Sequence, residues 1–502
     1  MNTPALLTAR DVVIPEGPAG RRRRLLVLVI CSSSLFLAYL DSTILNVALP
    51  TIGKDLHAGL SALQWVADAY LLVLASILLL SGSTADRLGR KRLFLLGLTG
   101  FSLGSLLCSF APNVVSLVAL RMLQALGGSM LTPVSLSIVR NVFTDARERA
   151  QALGIWSGIF GLAVACGPVA GGILVTEVGW RSVFWVNVPI GACMIIAARR
   201  YLPESRAPRP RRVDVPGQLL MIVFLGSLTY AVIEGPSTGW GSTPILCLFA
   251  VAAVALAAFV AVERRRPEPL LELRFFRSPP FTGVSVIAVL AYTALSGFLF
   301  VATLYLQEVR DYSPLKAGLA VLPATALMAV AAPIAGQLNG RRGPRLPLVA
   351  SGVFMAAGAA VLLGLSATSA YVLLAVAFAL FGAGQGLVNP PVTNTGVSGM
   401  PPAQAGVASA VISSTRQFGN VLGVAVMGAM LAAGLAGAAS DAGSLASGAG
   451  TAGITAHDRA FAAATHGPWW LAVACGVLIA VVGWFTTSPR ALRIARDVAG
   501  AD

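Results

Sequence analysis

The chain has 502 residues, 56% of them hydrophobic and only 11% charged, with a mean hydropathy of +0.79, which excludes an ordinary water-soluble fold. Lys and Arg total 36 against 21 Asp and Glu, a formal charge of +15. The arginines stand in short clusters between apolar runs, so they belong to membrane edges and not to a nucleic-acid groove.

About 20 apolar residues cross the roughly 30 Å of bilayer hydrocarbon. Cutting the chain where charge or Pro/Gly clusters interrupt such runs predicts fourteen spans. They lie over 25–49, 61–81, 93–111, 114–139, 150–175, 182–202, 216–235, 243–263, 281–305, 316–337, 346–366, 371–393, 404–432 and 467–487. Arg21 to Arg24 place the N-terminus in the cytoplasm, and an even number of spans returns the C-terminus there. This arrangement puts 29 of the 36 Lys and Arg on the cytoplasmic side. Five fall outside (Lys54, Arg181, Arg310, Lys316 and Arg459), and Arg121 and Arg416 sit within spans. Asp41 interrupts the first apolar run and no A-x-A site follows, which argues against a cleaved signal peptide.

The six cysteines lie in apolar stretches without C-x-x-C spacing and read as small core residues. Trp65, Trp180, Trp185, Trp240, Trp469 and Trp470 fall near predicted outer edges and read as interfacial anchors. The Gly/Ala/Ser-rich segment 434–466 reads as a mobile external loop. His57, His457 and His466 are too scattered for a metal site, and no phosphate-binding or nucleophile-elbow motif occurs. No metal or cofactor is expected.

The loop after span 2, Gly82-Ser-Thr-Ala-Asp86-Arg87-Leu-Gly89-Arg90-Lys91-Arg92, has a weakened copy after span 10, Gly336-Gln-Leu-Asn-Gly340-Arg341-Arg342-Gly343-Pro344-Arg345. Both follow the second helix of a six-helix set if spans 7 and 8 are an insertion. Parallel halves of this kind point to a secondary transporter that rocks about a central cavity. The expected organisation is an N-terminal tail at 1–24, six-helix bundles at 25–202 and 281–487, a linker with two additional spans at 203–280, and a tail at 488–502.

The 82–92 loop resembles the signature loop of the major facilitator superfamily. Three further stretches resemble its 14-helix drug:proton antiporter branch: Leu40-Asp41-Ser-Thr43-Ile-Leu-Asn46-Val-Ala-Leu-Pro50, Gly161-x5-Gly167-Pro168-x-x-Gly171-Gly172, and Trp180-Arg181-x3-Trp185-Val-Asn187-Val-Pro189-Ile-Gly191. The resemblance runs from about residue 25 to 490 and implies an all-α integral membrane protein with the major facilitator fold. It further implies that Arg121 takes part in proton transfer. The segment from Gly161 through Gly167, Pro168, Gly171 and Gly172 would mark an exporter, hinging the halves and restricting leakage. Members that handle divalent cations often carry an acid in spans 10–14; none is central here, which points to monovalent or neutral lipophilic substrates. Gly340 replaces the acid of the second loop, implying a differently built C-terminal gate.

Ionisable groups inside spans cost about 2.5–3.5 kcal/mol on insertion scales and are usually kept for a pathway or a partner. At 1.5 Å per residue, Asp41, Asp68 and Arg121 lie roughly 12, 10 and 12 Å from the outer ends of their spans, at one level. Arg121 is therefore expected to pair with ionised Asp41 or Asp68 and to be released when the acid is protonated. The competing reading is a permanent ion bridge. Arg121, Gln124 and Gly128 follow i, i+3, i+7 spacing and should line a cavity. Asn46, Arg416 and Gln417 join them as cavity candidates, with Glu234 and Glu308 at the outer rim. Gly82 and Gly89 should allow a tight reversal at the cytoplasmic gate, where Asp86, Arg87 and Arg90 meet helix ends and latch the halves.

These features predict a monomeric, proton-driven exporter of small lipophilic compounds such as drugs or antibiotics, with membrane lipid around it. The alternatives are a dedicated exporter of one endogenous metabolite and a membrane-embedded enzyme.

Overall fold

In the computed structural model, residues 18–206, 214–266, 271, 273–366, 368–398, 405–444 and 456–488 are described. The expectations for residues 1–17, the proline-rich linker part at 207–213, residues 445–455 and the tail from 489 lie outside them. In hydrocarbon no water satisfies the backbone, so a spanning chain must satisfy it internally. The described residues contain helices and no strand.

The helices are α1 (Pro18–Asp55), α2 (Leu60–Leu88), α3 (Arg90–Ser109), α4 (Val114–Val142), α5 (Ala146–Glu177), α6 (Ser182–Trp185), α7 (Asn187–Tyr201), α8 (Val215–Thr238) and α9 (Thr243–Glu263). They continue with α10 (Pro279–Leu304), α11 (Pro314–Ala320), α12 (Leu322–Arg342), α13 (Arg345–Leu363), α14 (Tyr371–Ser398), α15 (Ala405–Ser444), α16 (Ala456–Ala464) and α17 (His466–Thr486). Short breaks divide single spans between α6 and α7 and between α11 and α12, and α10 runs on through a π-helical turn, Tyr305–Val309. Fourteen stretches are long and apolar enough to cross a membrane. The narrow gap predicted at 111–113 is a true boundary: the Asn113 side chain accepts from Ser116 N at 2.9 Å and starts α4.

The internal repeat is visible in the packing. α1 packs on α5, α2 and α3 on α4, and α3 on α7; in the second set α10 packs on α15, α12 and α13 on α14, and α13 on α17. The shared element of the two signature loops is one residue. Gly89 (φ +110°) ends α2 and Gly343 (φ +77°) ends α12, both in the left-handed region where a Cβ is disfavoured. Gly82 and Gly336 lie inside their helices, so the expected reversal at Gly82 does not occur; Gly89 alone makes the turn.

The inserted pair α8 and α9 packs together, and α8 covers the seam where α2 meets α15. Glu234 Oε1 accepts from Ser61 Oγ at 2.8 Å and Trp65 Nε1 at 3.0 Å, and Gln218 donates to the Ser76 carbonyl, so α8 is tied to α2 at two levels. On α9, Leu246, Val251 and Val254 are exposed, as lipid-facing side chains should be.

The expected loop at 434–466 is partly helical: α15 continues to Ser444, and Ala456–Ala464 forms α16. Two tryptophans differ from the interfacial reading. Trp469 is buried against Phe298, and Trp180 is buried with its Nε1 donating to Asp55 Oδ2 at 2.7 Å. Cys31, Cys108 and Cys475 are buried as expected, whereas Cys193 and Cys247 are exposed.

Candidate functional site

Three elements converge on Asp41, which is 3% exposed in α1. Arg121, about two turns into α4 and on its buried face, places Nη1 2.5 Å from Asp41 Oδ2 and 2.8 Å from Gln124 Oε1. Gln124 Nε2 then donates to Asp41 Oδ1 at 2.9 Å, closing a ring of bonds between α1 and α4. The third donor is Asn187, the first residue of α7, whose Nδ2 lies 2.7 Å from Asp41 Oδ1 and 2.9 Å from Ser105 Oγ. The Arg121 guanidinium carbon stands 4.2 Å from the centroid of the Tyr70 ring. A buried ion pair is stable only when its remaining lone pairs and protons find partners, and both Asp41 oxygens do so here.

Arg121 reaches beyond this ring, because it also lines a cleft of about 850 Å³, open to solvent, between the two halves. The cleft is walled by Leu45, Leu71, Leu74, Leu295, Leu299 and Val424, with Asn46, Ser296, Gln417 and Asn420 as its neutral polar groups. Tyr39, from the first half, and Tyr292, from the second, also line it. Apolar walls with a few polar groups are the usual make-up of a small-molecule site. Of the predicted α4 stripe, Arg121 and Gly128 line the cleft; Gln124 is fully buried and faces Asp41 instead.

The inter-half hydrogen bonds of Gln64, Gln307 and Thr176 and the Lys54–Glu308 ion pair lie at the end away from the basic loops. Gln64 Nε2 donates to the carbonyls of Val424 and Ala425 at 3.3 and 3.1 Å, roofing the cleft. Gln307, in the π-helical turn, donates to the Val47 carbonyl at 2.9 Å, and its neighbour Glu308 pairs with Lys54 at 3.5 Å. The predicted hinge belongs to this seal. A Cβ on Gly167 would collide with Thr43 Oγ1, and one on Gly171 would lie 3.0 Å from the Ile44 carbonyl, so α5 sits directly on α1. Gly172 meets α11 of the other half, where its Cβ would be 2.6 Å from Leu315 Cα; Gly318 of α11 in turn admits the Pro168 carbonyl. Gly161 has open space around it and takes no part.

At the basic end the gate contacts stay within the first set of helices. Asp86 accepts from Arg90 Nη2 at 2.9 Å, one helical turn away, instead of from helix N-terminal amides. Glu204, which the sequence reading missed, accepts from Lys91 N at 3.2 Å and pairs with Arg92 at 3.8 Å. Arg87 points outward and is exposed. The end of the cleft away from the basic loops is thus the bonded one.

The remaining candidates separate clearly. Arg121 pairs with Asp41 and not with Asp68; both carboxylate oxygens of Asp68 are buried in α2 and, among the described residues, accept no hydrogen bond. Glu234 and Glu308 are outside the cleft lining, bonded as given above. Arg416, expected in the cavity, is outside the cleft lining, beside the lining residue Gln417; it donates to Thr393 Oγ1 at 2.5 Å, and its guanidinium carbon lies 5.8 Å from the Tyr292 ring centroid. Asn187 was the notable omission from the expected site: a buried amide in an apolar span, within the stretch Trp185-Val-Asn187, was the available signal.

Residues 31–424 match the Major Facilitator Superfamily. The chain belongs to this superfamily. It is 39% identical over 412 residues to the multidrug resistance protein Stp of Mycobacterium tuberculosis, covering 82% of this chain and 76% of that protein. To the tetracenomycin C resistance and export protein of Streptomyces glaucescens it is 38% identical, covering 81% and 75%. To the puromycin resistance protein pur8 of Streptomyces alboniger it is 34% identical over 95% of this chain and 93% of that one. Among solved structures, a bacterial homolog of the human lysosomal transporter Spinster superposes with a TM-score of 0.63 at 19% identity over 95% and 98% of the two chains. The peptide transporter POT in complex with sulfate gives 0.67 at 15% identity over 96% and 98%. These two superfamily folds agree with the expected major facilitator architecture.

Proposed function

We propose that the protein is a drug efflux transporter of the cytoplasmic membrane that exchanges protons for small lipophilic compounds, with both termini in the cytoplasm and each monomer a complete unit. Membership of the superfamily makes it a transporter and not a membrane-embedded enzyme, and its relatives are named for drug and antibiotic resistance and export. The observation that carries the coupling is that one guanidinium, Arg121, both neutralises Asp41 and lines the cleft. Protonation of Asp41 removes the charge that holds Arg121 in the ring, and Arg121 turns its potential on the cleft. Proton loss to the cytoplasm restores the pair. Asp41 is thus the coupling acid, and Asp68 is a second buried carboxyl in the half interface that takes up a proton without a paired cation.

With the basic loops cytoplasmic, the bonded end of the cleft is the external one and the cleft opens toward the cytoplasm. The cycle then runs by re-latching Asp86, Arg87 and Arg90 at that side while the glycine-lined α5–α11 contact parts at the other, a rocking of one half against the other. No cofactor enters; the proton gradient supplies the work.

Proteoliposomes test this directly. Acid imposed on the external side drives dye or antibiotic toward the acid compartment. Substrate movement at an unchanged rate after an ionophore collapses ΔpH and voltage would refute proton exchange, and chemical conversion of substrate without a gradient would refute transport.

A further inference from the structure

The cleft is asymmetric in charge. Among the described residues no carboxylate lines it: Asp41 is sealed behind Arg121, and Asp68 is buried in α2 outside the lining. The two cations near it differ in kind. Arg121 is neutralised by Asp41 at 2.5 Å. Arg416 pairs with no carboxylate among the described residues; its Nη2 rests on the neutral hydroxyl of Thr393, and its Nε, like that of Arg121, is buried without an acceptor. Arg416 immediately precedes Gln417, a lining residue, and α15 runs from the basic loops toward the Gln64 roof. It therefore stands on the open side of the cleft, beside the Tyr292 ring.

A guanidinium without a carboxylate partner attracts an acceptor-rich anion and repels a cation. Tyr39 and Tyr292, both in the lining, supply aromatic surface for a flat molecule. We propose that the cleft takes lipophilic aromatic acids, planar compounds bearing a carboxylate or phenolate that pairs with Arg416, and excludes lipophilic cations. This deepens the transporter reading and rests on it for the cleft being the transport site.

The test is equilibrium binding by fluorescence polarisation to the purified full chain in nanodiscs, without any gradient, using two xanthene dyes of similar size and opposite charge: fluorescein, an anion, and rhodamine 123, a cation. Fluorescein is expected to bind at least tenfold more tightly than rhodamine 123. Arg416→Gln should weaken fluorescein binding by about tenfold to a hundredfold, the range of a hydrogen bond to a charged group. Arg416→Lys, which keeps the charge but loses the planar fork, should weaken it less; it also serves as the second variant if Arg416→Gln does not yield a monodisperse protein. Rhodamine 123 binding as tightly as fluorescein, no fluorescein binding to the wild type, or unchanged fluorescein affinity in both variants would each overturn the proposal. Because no gradient is used, the two readings fail separately: fluorescein that binds as expected but is not moved by ΔpH would sink proton coupling and leave the anion site standing.

Discussion

Replacing Asp41 with Asn changes one heavy atom and removes the charge that Arg121 pairs with. The carboxylate accepts from three donors, Arg121 and Gln124 and Asn187, and gives nothing back. An amide has a single acceptor oxygen. If that oxygen serves Gln124 and Asn187, its NH2 group confronts Arg121 at a 2.5 Å spacing, donor against donor; flipped, it confronts the other two. Removing one partner of a buried ion pair costs about 3–5 kcal/mol, chiefly because the survivor stays charged and dry. Asp41→Asn is therefore expected to be destabilised by about that amount in unfolding measurements. Arg121→Gln in the same chain should recover a large part of the loss, since the stranded charge leaves with it. In proteoliposomes both variants should show transport no faster under ΔpH than after an ionophore, while concentration-driven exchange persists. Asp41→Asn with wild-type ΔpH-driven transport would remove Asp41 from the mechanism. A double variant no more stable than the single one would refute the buried-charge reasoning.

Gly318→Val should wedge the α5–α11 contact, because even a Cβ there collides with the Pro168 carbonyl; spin labels at positions 177 and 316, exposed on either side of that contact, should report a longer mean distance in a reactive-cysteine-free background. Asp86→Ala removes the 2.9 Å bond to Arg90 and should slow transport while leaving the amount of membrane-inserted protein unchanged; an unaltered transport rate would count against the gate. Glu234→Ala deletes the acceptor of Ser61 and Trp65 and should lower thermal stability by about 1–3 kcal/mol, whereas Glu234→Gln, which keeps a carbonyl oxygen for both donors, should stay close to wild type.

The number of spans, their approximate limits, the repeat and the level of Asp41 and Arg121 were legible in the linear chain. The reason is that the bilayer sets them: a fixed hydrocarbon thickness dictates run length, and burying a charge is costly enough that each one stands out against an apolar background. Depth, however, is one coordinate. It placed Asp68 and Asp41 equally well for Arg121, and only the rotation of each helix decides that Asp41 meets Arg121 on α4 while Asp68 is buried without bonding it. The same limit applies to Gln124, whose spacing put it in the cavity stripe but whose side chain turns to the acid, and to Gly82, where a glycine suggested a turn that helix α2 passes straight through. Asn187, Gln64 and Glu204 gained their roles from partners 146, 360 and 113 residues away in the chain. Periodicity within one helix carries no information about such distant neighbours. Composition and hydropathy settled that fourteen helices cross a membrane and which charges they had to carry. Which face each helix turns inward, which end of the cleft is sealed and which guanidinium is left without an anion follow from side-chain packing between helices, and the folded chain alone decided them.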